Sequence, residues 1–297
     1  MSTRATPWRR RVADTISPSR DARTGCRAPA TVKENRVVRY LGLLVLLAAS
    51  PVQAAETFNA VYQAYVAGLN AVELRSSFTF DPGGYKISVA SRTRGMTGVV
   101  WSGQQVNEAA GNWQPQGLRP RDFRIDGLWR GNVRRAHIAF LGDGPVIRDL
   151  EPPERGRVPV PEAERRDTMD PLSVLAALSR LVTEKNTCDG SARIFDGRKL
   201  ELSSARTVGW EVLPASSSTV FSGRALRCDV EVKLIGGFLK GTDSASQEKP
   251  KRGSVWIAPP APGAPPLPVM FKLEVNWLGE ATVFLTEFTR KGSQAAN

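Results

Sequence analysis

The sequence predicts an all-β protein: a curved antiparallel sheet, an open barrel or sandwich of about 11–12 strands, with one covering α-helix. Three observations lead there. Most of the chain after Ala55 falls into short alternating runs bounded by Gly, Pro, Asn and Asp turns. One stretch departs from this habit. From Asp170 to Glu184, Leu172, Leu175, Leu178 and Val182 recur at helical spacing, flanked by Val174 and Leu181. Asp170 suits the N-cap and Pro171 the first helical position, where no amide donor is needed. A helix apolar over about half its circumference must lie on something apolar, and only a sheet is on offer. The third observation is a pair of cysteines, Cys188 and Cys228, one just after the helix and one in a later strand.

Taken in order, the chain opens with 35 residues rich in Arg, Ser, Thr and Ala and without apolar periodicity. They read as a disordered extension or as the result of a start site placed too far upstream. Residues 36–54 follow, with Arg36 and Arg39 before an apolar run from Leu41 to Ala48 and small residues up to Ala54. This is the pattern of a secretory signal peptide cleaved near Ala54. The run is well short of the ~20 residues of a membrane span. Residues 55–297 are expected to form a single β-rich domain.

Within that domain, 58–65 and 72–80 read as strands joined by a bend at Gly68, and Asp81-Pro-Gly-Gly84 is a turn. Residues 85–94 alternate, with Tyr85, Ile87 and Val89 on one side. Gly95 to Gly98 interrupts the pattern before Val99-Val-Trp101, and 107–117 is turn-rich. Residues 118–125 and 133–141 pair around 127–131. Residues 142–167 lose all periodicity and hold Pro145, Pro152, Pro153, Pro159 and Pro161, the marks of an extended crossover into the helix. After the helix, Asp196-Gly197 is a strong hairpin signal. From Ala225 to Ile235, Leu226, Cys228, Val230, Val232 and Leu234 share one face, expected to be core. Residues 240–253 read as an exposed loop, and 259–266 as a Pro-rich surface loop. Two final strands meet around Gly279.

Charge excludes some functions. The chain has 41 Lys or Arg against 29 Asp or Glu, a formal charge of +12. Ten of the basic and three of the acidic residues fall within residues 1–55, so the rest is only mildly basic, with mixed signs. No clustered basic face points to nucleic acid. Arg119, Arg121, Arg124, Arg130, Arg134 and Arg135 form the densest set, on alternating strands where a solvated face is the ordinary outcome. Of the three cysteines, Cys26 lies upstream of the cleavage site. Cys188 and Cys228 remain, and an even pair in an exported chain reads as one disulfide. His137 is the single histidine, which leaves a zinc site or a Ser-His-Asp arrangement without partners. No metal or cofactor is expected.

The ordered set of short motifs resembles the bacterial family called domain of unknown function 3108. It runs from Tyr65-Val-Ala-Gly68 through Tyr85 to Gly95, Gly117-Leu-Arg-Pro120, Asp170-Pro-Leu-Ser173, Phe195-Asp-Gly-Arg198, Cys228 and Gly236-Gly237. Trp256-Ile-Ala, Pro268-Val and the Gly279 hairpin complete it. The resemblance implies an exported envelope protein with a curved antiparallel sheet, and no reaction.

The functional expectation is a periplasmic, non-enzymatic protein holding an apolar or amphipathic envelope molecule such as a lipid. Met96, Val99 and Trp101 after the third strand, with Leu172, Leu175 and Leu178 of the helix, are the expected cavity lining. The same loop also reads as an ordinary core-facing strand broken by glycine. The alternative function is a scaffold binding another envelope protein by strand addition. A hydrolase of envelope glycans or lipids ranks last, since no nucleophile and base stand out.

Overall fold

The computed structural model describes residues 55–94, 102–142, 144–275 and 279–291. Met96, Val99, Trp101 and the expected signal peptide lie outside the described residues. Fourteen strands are present among the described residues. The first seven are β1 (Glu56–Val66), β2 (Leu69–Phe80), β3 (Gly84–Thr93), β4 (Gly103–Gln114), β5 (Gly117–Trp129), β6 (Asn132–Leu141) and β7 (Gly144–Glu151). The helix α1 (Pro171–Lys185) is preceded by β8 (Thr168–Met169). Then come β9 (Gly190–Phe195), β10 (Leu200–Leu213), β11 (Gly223–Gly236), a short helix α2 (Ser244–Gln247), β12 (Lys251–Ala258), β13 (Leu267–Val275) and β14 (Gly279–Lys291). All strands belong to one sheet in the order β7-β6-β5-β4-β3-β2-β1-β14-β13-β12-β11-β10-β9-β8, nearly closed into a barrel. The all-β class with one substantial helix stands, with more strands than the 11–12 expected.

Two of the added strands were hidden for physical reasons. β4 runs into the stretch 107–117 that reads as turn-rich, where it contains Gly111. At Gly111 a Cβ would stand 2.4 Å from the Tyr85 hydroxyl and 2.5 Å from the Arg119 carbonyl oxygen, so glycine here serves close cross-strand packing. A bulge falls at Ala110/Gly111 in the pairing with β5. β7 corrects the reading of 142–167 as wholly irregular. Pro145 sits near its start, and β7 is the last strand of the sheet, where a missing amide donor costs no ladder bond. The expected loop 240–253 contains α2 and the start of β12.

Tight turns fix the register. Ala67–Gly68 and Arg130–Gly131 each take positive φ at two successive residues, joining β1 to β2 and β5 to β6 as two-residue hairpins. At the turn between β9 and β10, Asp196 accepts hydrogen bonds from the amides of Arg198 (2.9 Å) and Lys199 (2.8 Å).

Following the register strand by strand defines one continuous inner face. Phe58, Ala60 and Tyr62 stand beside Phe78, Ser76 and Leu74, which stand beside Ile87, Val89 and Ser91. The face continues through Ala109, Phe123 and Ile138. On the other side it runs from Tyr62 to Leu285, then from Val283 to Phe271, Val255 and Cys228. α1 lies against β3, β4, β5 and β9. Leu172 and Ala176 join the large core with Phe123 and Ile138, while Val182 packs with Leu226, Cys228 and Val255. At β11 and β12 the opposite face is buried too, by Ala225, Trp256 and Ala258.

The helix begins and ends as its sequence dictates. Asp170 caps it, accepting from the amides of Leu172 (2.9 Å) and Ser173 (2.8 Å). Asn186 ends it in the left-handed region. Its most buried stripe is Leu172, Ser173, Ala176, Ser179 and Val182. Leu175 and Leu178 flank that stripe rather than forming its centre. Small residues at the centre let the helix backbone come close to the strands beneath.

The crossover from β7 to β8 is the seam that nearly closes the barrel. Arg198 reaches Glu154 (2.9 Å) and the Pro152 carbonyl oxygen (2.8 Å). Arg193 donates to the carbonyl oxygens of Glu164 (2.5 Å) and Arg166 (3.1 Å). Val158 donates to Phe238 (2.8 Å), and Lys240 to Gly156 (2.9 Å), along the backbone. Cys188 and Cys228 are joined as a disulfide, tying the segment after α1 to β11. Among the described residues no helix is long and apolar enough to cross a membrane.

Candidate functional site

The helix fills the middle of the barrel, so the open volume lies elsewhere. Along β11, about 13 and 20 Å from Cys228 at ~3.3 Å per residue, the inner face reaches Val232 and then Leu234. Register places Glu201 beside Leu234 and Lys251 beside Val232. These residues and the 237–250 loop line a cleft of about 810 Å³. Val232, Leu234 and Leu239 form its apolar part, while Arg157, Lys199, Lys249, Lys251, Glu201, Glu274 and Glu280 ring it. A volume of this size falls within the range of ordinary small-molecule sites.

The cleft wall is built, not loose. Gln247 brackets Leu239, accepting from its amide (2.7 Å) and donating to its carbonyl oxygen (3.2 Å). Asp243 caps α2 through the amides of Ala245 (3.2 Å) and Ser246 (2.9 Å). Arg157 donates to the Gly237 carbonyl oxygen (2.7 Å). Lys199 bonds Glu201 at 2.9 Å and lies 3.5 Å from Asp196. Burial works to lower its pKa, but the two carboxylates outweigh burial and hold it above the usual lysine value. Lys199 therefore stays cationic at neutral pH.

A second cleft, about 430 Å³, lies on the opposite face, among Arg227, Asp229, Arg252, Ser254, Trp256 and Lys272. Its charges answer one another: Arg227 with Glu211 (3.1 Å), Arg252 with Glu231 (3.0 Å), Lys272 with Glu280 (3.1 Å). Glu211 also accepts from the Trp256 indole (2.7 Å), which holds its carboxyl below the usual range. Among the described residues there, only Arg227 Nε is left buried without a hydrogen bond, 3.4 Å from Asp229.

Ser173 donates to Asp170 and shares a 2.5 Å hydrogen bond with the Tyr85 hydroxyl, all three fully or almost fully buried. Burial pushes the Asp170 carboxyl up to about 6, against the pull of its Ser173 and amide donors, and raises the Tyr85 phenol. The chain pins α1 to β3 and meets no solvent-open volume. His137 Nε2 lies 2.6 Å from Asp122, which also accepts from Arg124 at 2.8 Å, a cross-strand pair between β5 and β6. Among the described residues no group of three His, Cys, Asp or Glu side chains is placed to hold a metal.

Of the residues singled out in the sequence, Leu172 is buried in the large core with Leu175 packed against it, and Leu178 packs against the smaller cluster around Val182 and Cys228. None of the three lines either cleft. Val232 and Leu234 were legible as inward-facing, but not as bordering open space. Arg157, Lys199, Lys249 and Lys251 carry no local sequence signal that separates them from solvated charge.

Fold and cleft define a β-barrel-like protein with a helix-filled middle and an amphipathic cleft toward one end. The chain belongs to the protein family of unknown function DUF3108, whose sequence pattern matches residues 61–286. No curated protein matches it. A solved structure similar to it is a β-barrel-like protein of domain of unknown function DUF1849 from Brucella abortus. The two share 11% identity at a TM-score of 0.48, over 80% of this chain and 99% of that one.

Proposed function

We propose that this protein is exported to the periplasm and binds, without catalysis, an amphipathic envelope molecule in the Val232–Leu234 cleft. The observation that carries this reading is the cleft's composition: an apolar floor from three side chains beneath a ring of charge that includes Lys249 and Lys251. Neither lysine has an ion-pair partner among the described residues, and of the three carboxylates in the ring Glu274 alone has none, so the ring's four cations against three carboxylates favour an anionic head group. The Cys188–Cys228 disulfide supports an oxidising compartment. The test is titration with parinaric acid, a fluorescent anion with an apolar tail. Its emission should rise on binding, and Leu234→Glu or the exposed Lys251→Glu should weaken binding about tenfold, the loss of one buried contact or one charge pair. A wild-type protein that leaves the emission unchanged rules the reading out.

A second reading, a scaffold for another envelope protein, has one observation in its favour. β9 pairs only with Leu200–Ala205, so Arg206–Leu213 of β10 has a strand neighbour on one side alone. Val208, Trp210 and Val212 are exposed there. A photo-crosslinker at Val212 that captures no envelope protein would remove this reading.

A further inference from the structure

Antiparallel strands in meander order give the sheet two rims. One carries the β1–β2 and β5–β6 turns and the starts of β12 and β14. Beside its β1–β2 and β5–β6 turns the side chains are apolar and outward: Leu69 is 62% exposed, Leu128 40% and Trp129 39%, whereas the other two described connections on this rim, 196–199 and 237–250, are polar apart from half-buried Phe238 and exposed Leu239. Trp129 rests on Gly103, where a Cβ would meet its ring at 2.5 Å, so the indole is held in place. In the same half of the sheet the other rim is turned by Asp81, Pro82, Gly83, Pro115 and Gln116, with Leu141 as its apolar exception.

Charge at the apolar rim has a sign. Arg92 at the end of β3 and Arg134 near the start of β6 have no acidic partner among the described residues, nor do Lys249 and Lys251 by the cleft. Asp126 and Glu280 are occupied by Arg135 (3.6 Å) and Lys272 (3.1 Å), so against these four cations stands Glu274, near the end of β13 and without an ion pair among the described residues. The cleft opens at this rim as well, since Gly279, Glu280 and Lys251 border it.

We propose that this rim docks on an anionic bilayer surface, with Leu69, Leu128 and Trp129 entering the head-group layer and Arg92 and Arg134 meeting lipid phosphates. Leucine and tryptophan tips beside arginine are the side chains that gain most at such an interface, where indole and guanidinium keep polar contacts while apolar area leaves water. Docking there would present the cleft mouth to the lipid. The inference goes beyond the cleft reading and stands without it.

The test places an environment-sensitive nitrobenzoxadiazole label on the rim of the full chain. Cys26→Ser removes the other free thiol, and Leu69→Cys supplies the labelled site. A second protein carries the label at Gln116→Cys on the opposite rim. Both are mixed with phosphatidylcholine vesicles, with and without phosphatidylglycerol. The label at 69 should brighten more than about twofold with the anionic vesicles alone, the response of a probe entering the interface. Half a molar salt, roughly, should reverse it by screening. Arg92→Ser and Arg134→Ser should each weaken the response about fivefold. The label at 116 should stay dark. No change at 69, or equal changes at 69 and 116, overturns the proposal whatever the N-terminal segment does. Because cleft binding is read without vesicles, failure of one reading is distinct from failure of the other.

Discussion

Asp170 offers a measurement in which the fold's central contact reports on itself. Its carboxyl is fully buried, caps α1 and, through Ser173, connects to Tyr85. Burial raises it from 3.8 to about 6. A carboxyl raised in the folded state binds a proton there before it does so unfolded. Stability therefore increases as pH falls through about 6, and the gain is complete below the unfolded value of 3.8. At about 1.36 kcal/mol per unit the full gain is about 3 kcal/mol, of which about 1 kcal/mol is realised between pH 7 and pH 5. Glu73, Asp122, Glu154, Asp189 and Glu211 lie below their ordinary values of 3.8 or 4.5. Their stabilising contribution is present above those values and is lost only as pH falls through the lower folded ones, so these five carboxylates add nothing between pH 7 and pH 5, and the difference between wild type and an Asp170 variant isolates the Asp170 part. Urea unfolding of wild type at pH 7 and pH 5 should show the increase. Asp170→Asn keeps a good cap without a titrating group and should flatten the dependence. A wild type whose stability changes over this window just as the variant's does would refute the argument that burial dominates at Asp170.

Two other perturbations follow from packing. Cys188→Ser removes the bond that closes the 40-residue loop to Cys228 and should cost up to about 4 kcal/mol. The denatured variant should show one more reactive thiol than wild type, and equal counts would contradict the disulfide. Gly111→Ala forces a Cβ against the Tyr85 hydroxyl and a backbone oxygen. It should cost about 1–3 kcal/mol and lower the melting temperature by several degrees, and an unchanged melting curve would show that β3 and β5 yield more easily than their packing suggests.

The helix was legible because Asp170, Pro171 and the apolar spacing speak in the local sequence, and its observed bounds differ by one residue at the C-terminal end. The disulfide was legible because residues 55–297 hold just two cysteines. The hairpin turns at Gly68 and Asp196-Gly197 announced themselves by residue type. β4 did not, because Gly111 is chosen for what lies across from it on β3 and β5. The barrel seam did not, because it is made by Arg193 and Arg198 reaching backbone oxygens 27 to 46 residues earlier in the chain. The cleft was hidden for a related reason. Its lining comes from Arg157, the ends of β10 to β14 and the 237–250 loop, and each charged residue taken singly is indistinguishable from a solvated one. The buried stripe of α1 was centred on leucines in the sequence reading, whereas contact with β3 favours Ser173 and Ala176, whose small size a hydrophobicity pattern undervalues.

The cleft is proposed to hold an amphipathic molecule. Native mass spectrometry of the protein recovered from its own envelope fraction, followed by organic extraction, tests it most directly. The expected spectrum carries an added mass that releases an anionic, apolar-tailed species, absent from Lys251→Glu. A bare polypeptide mass in both proteins, with nothing extracted, would contradict it.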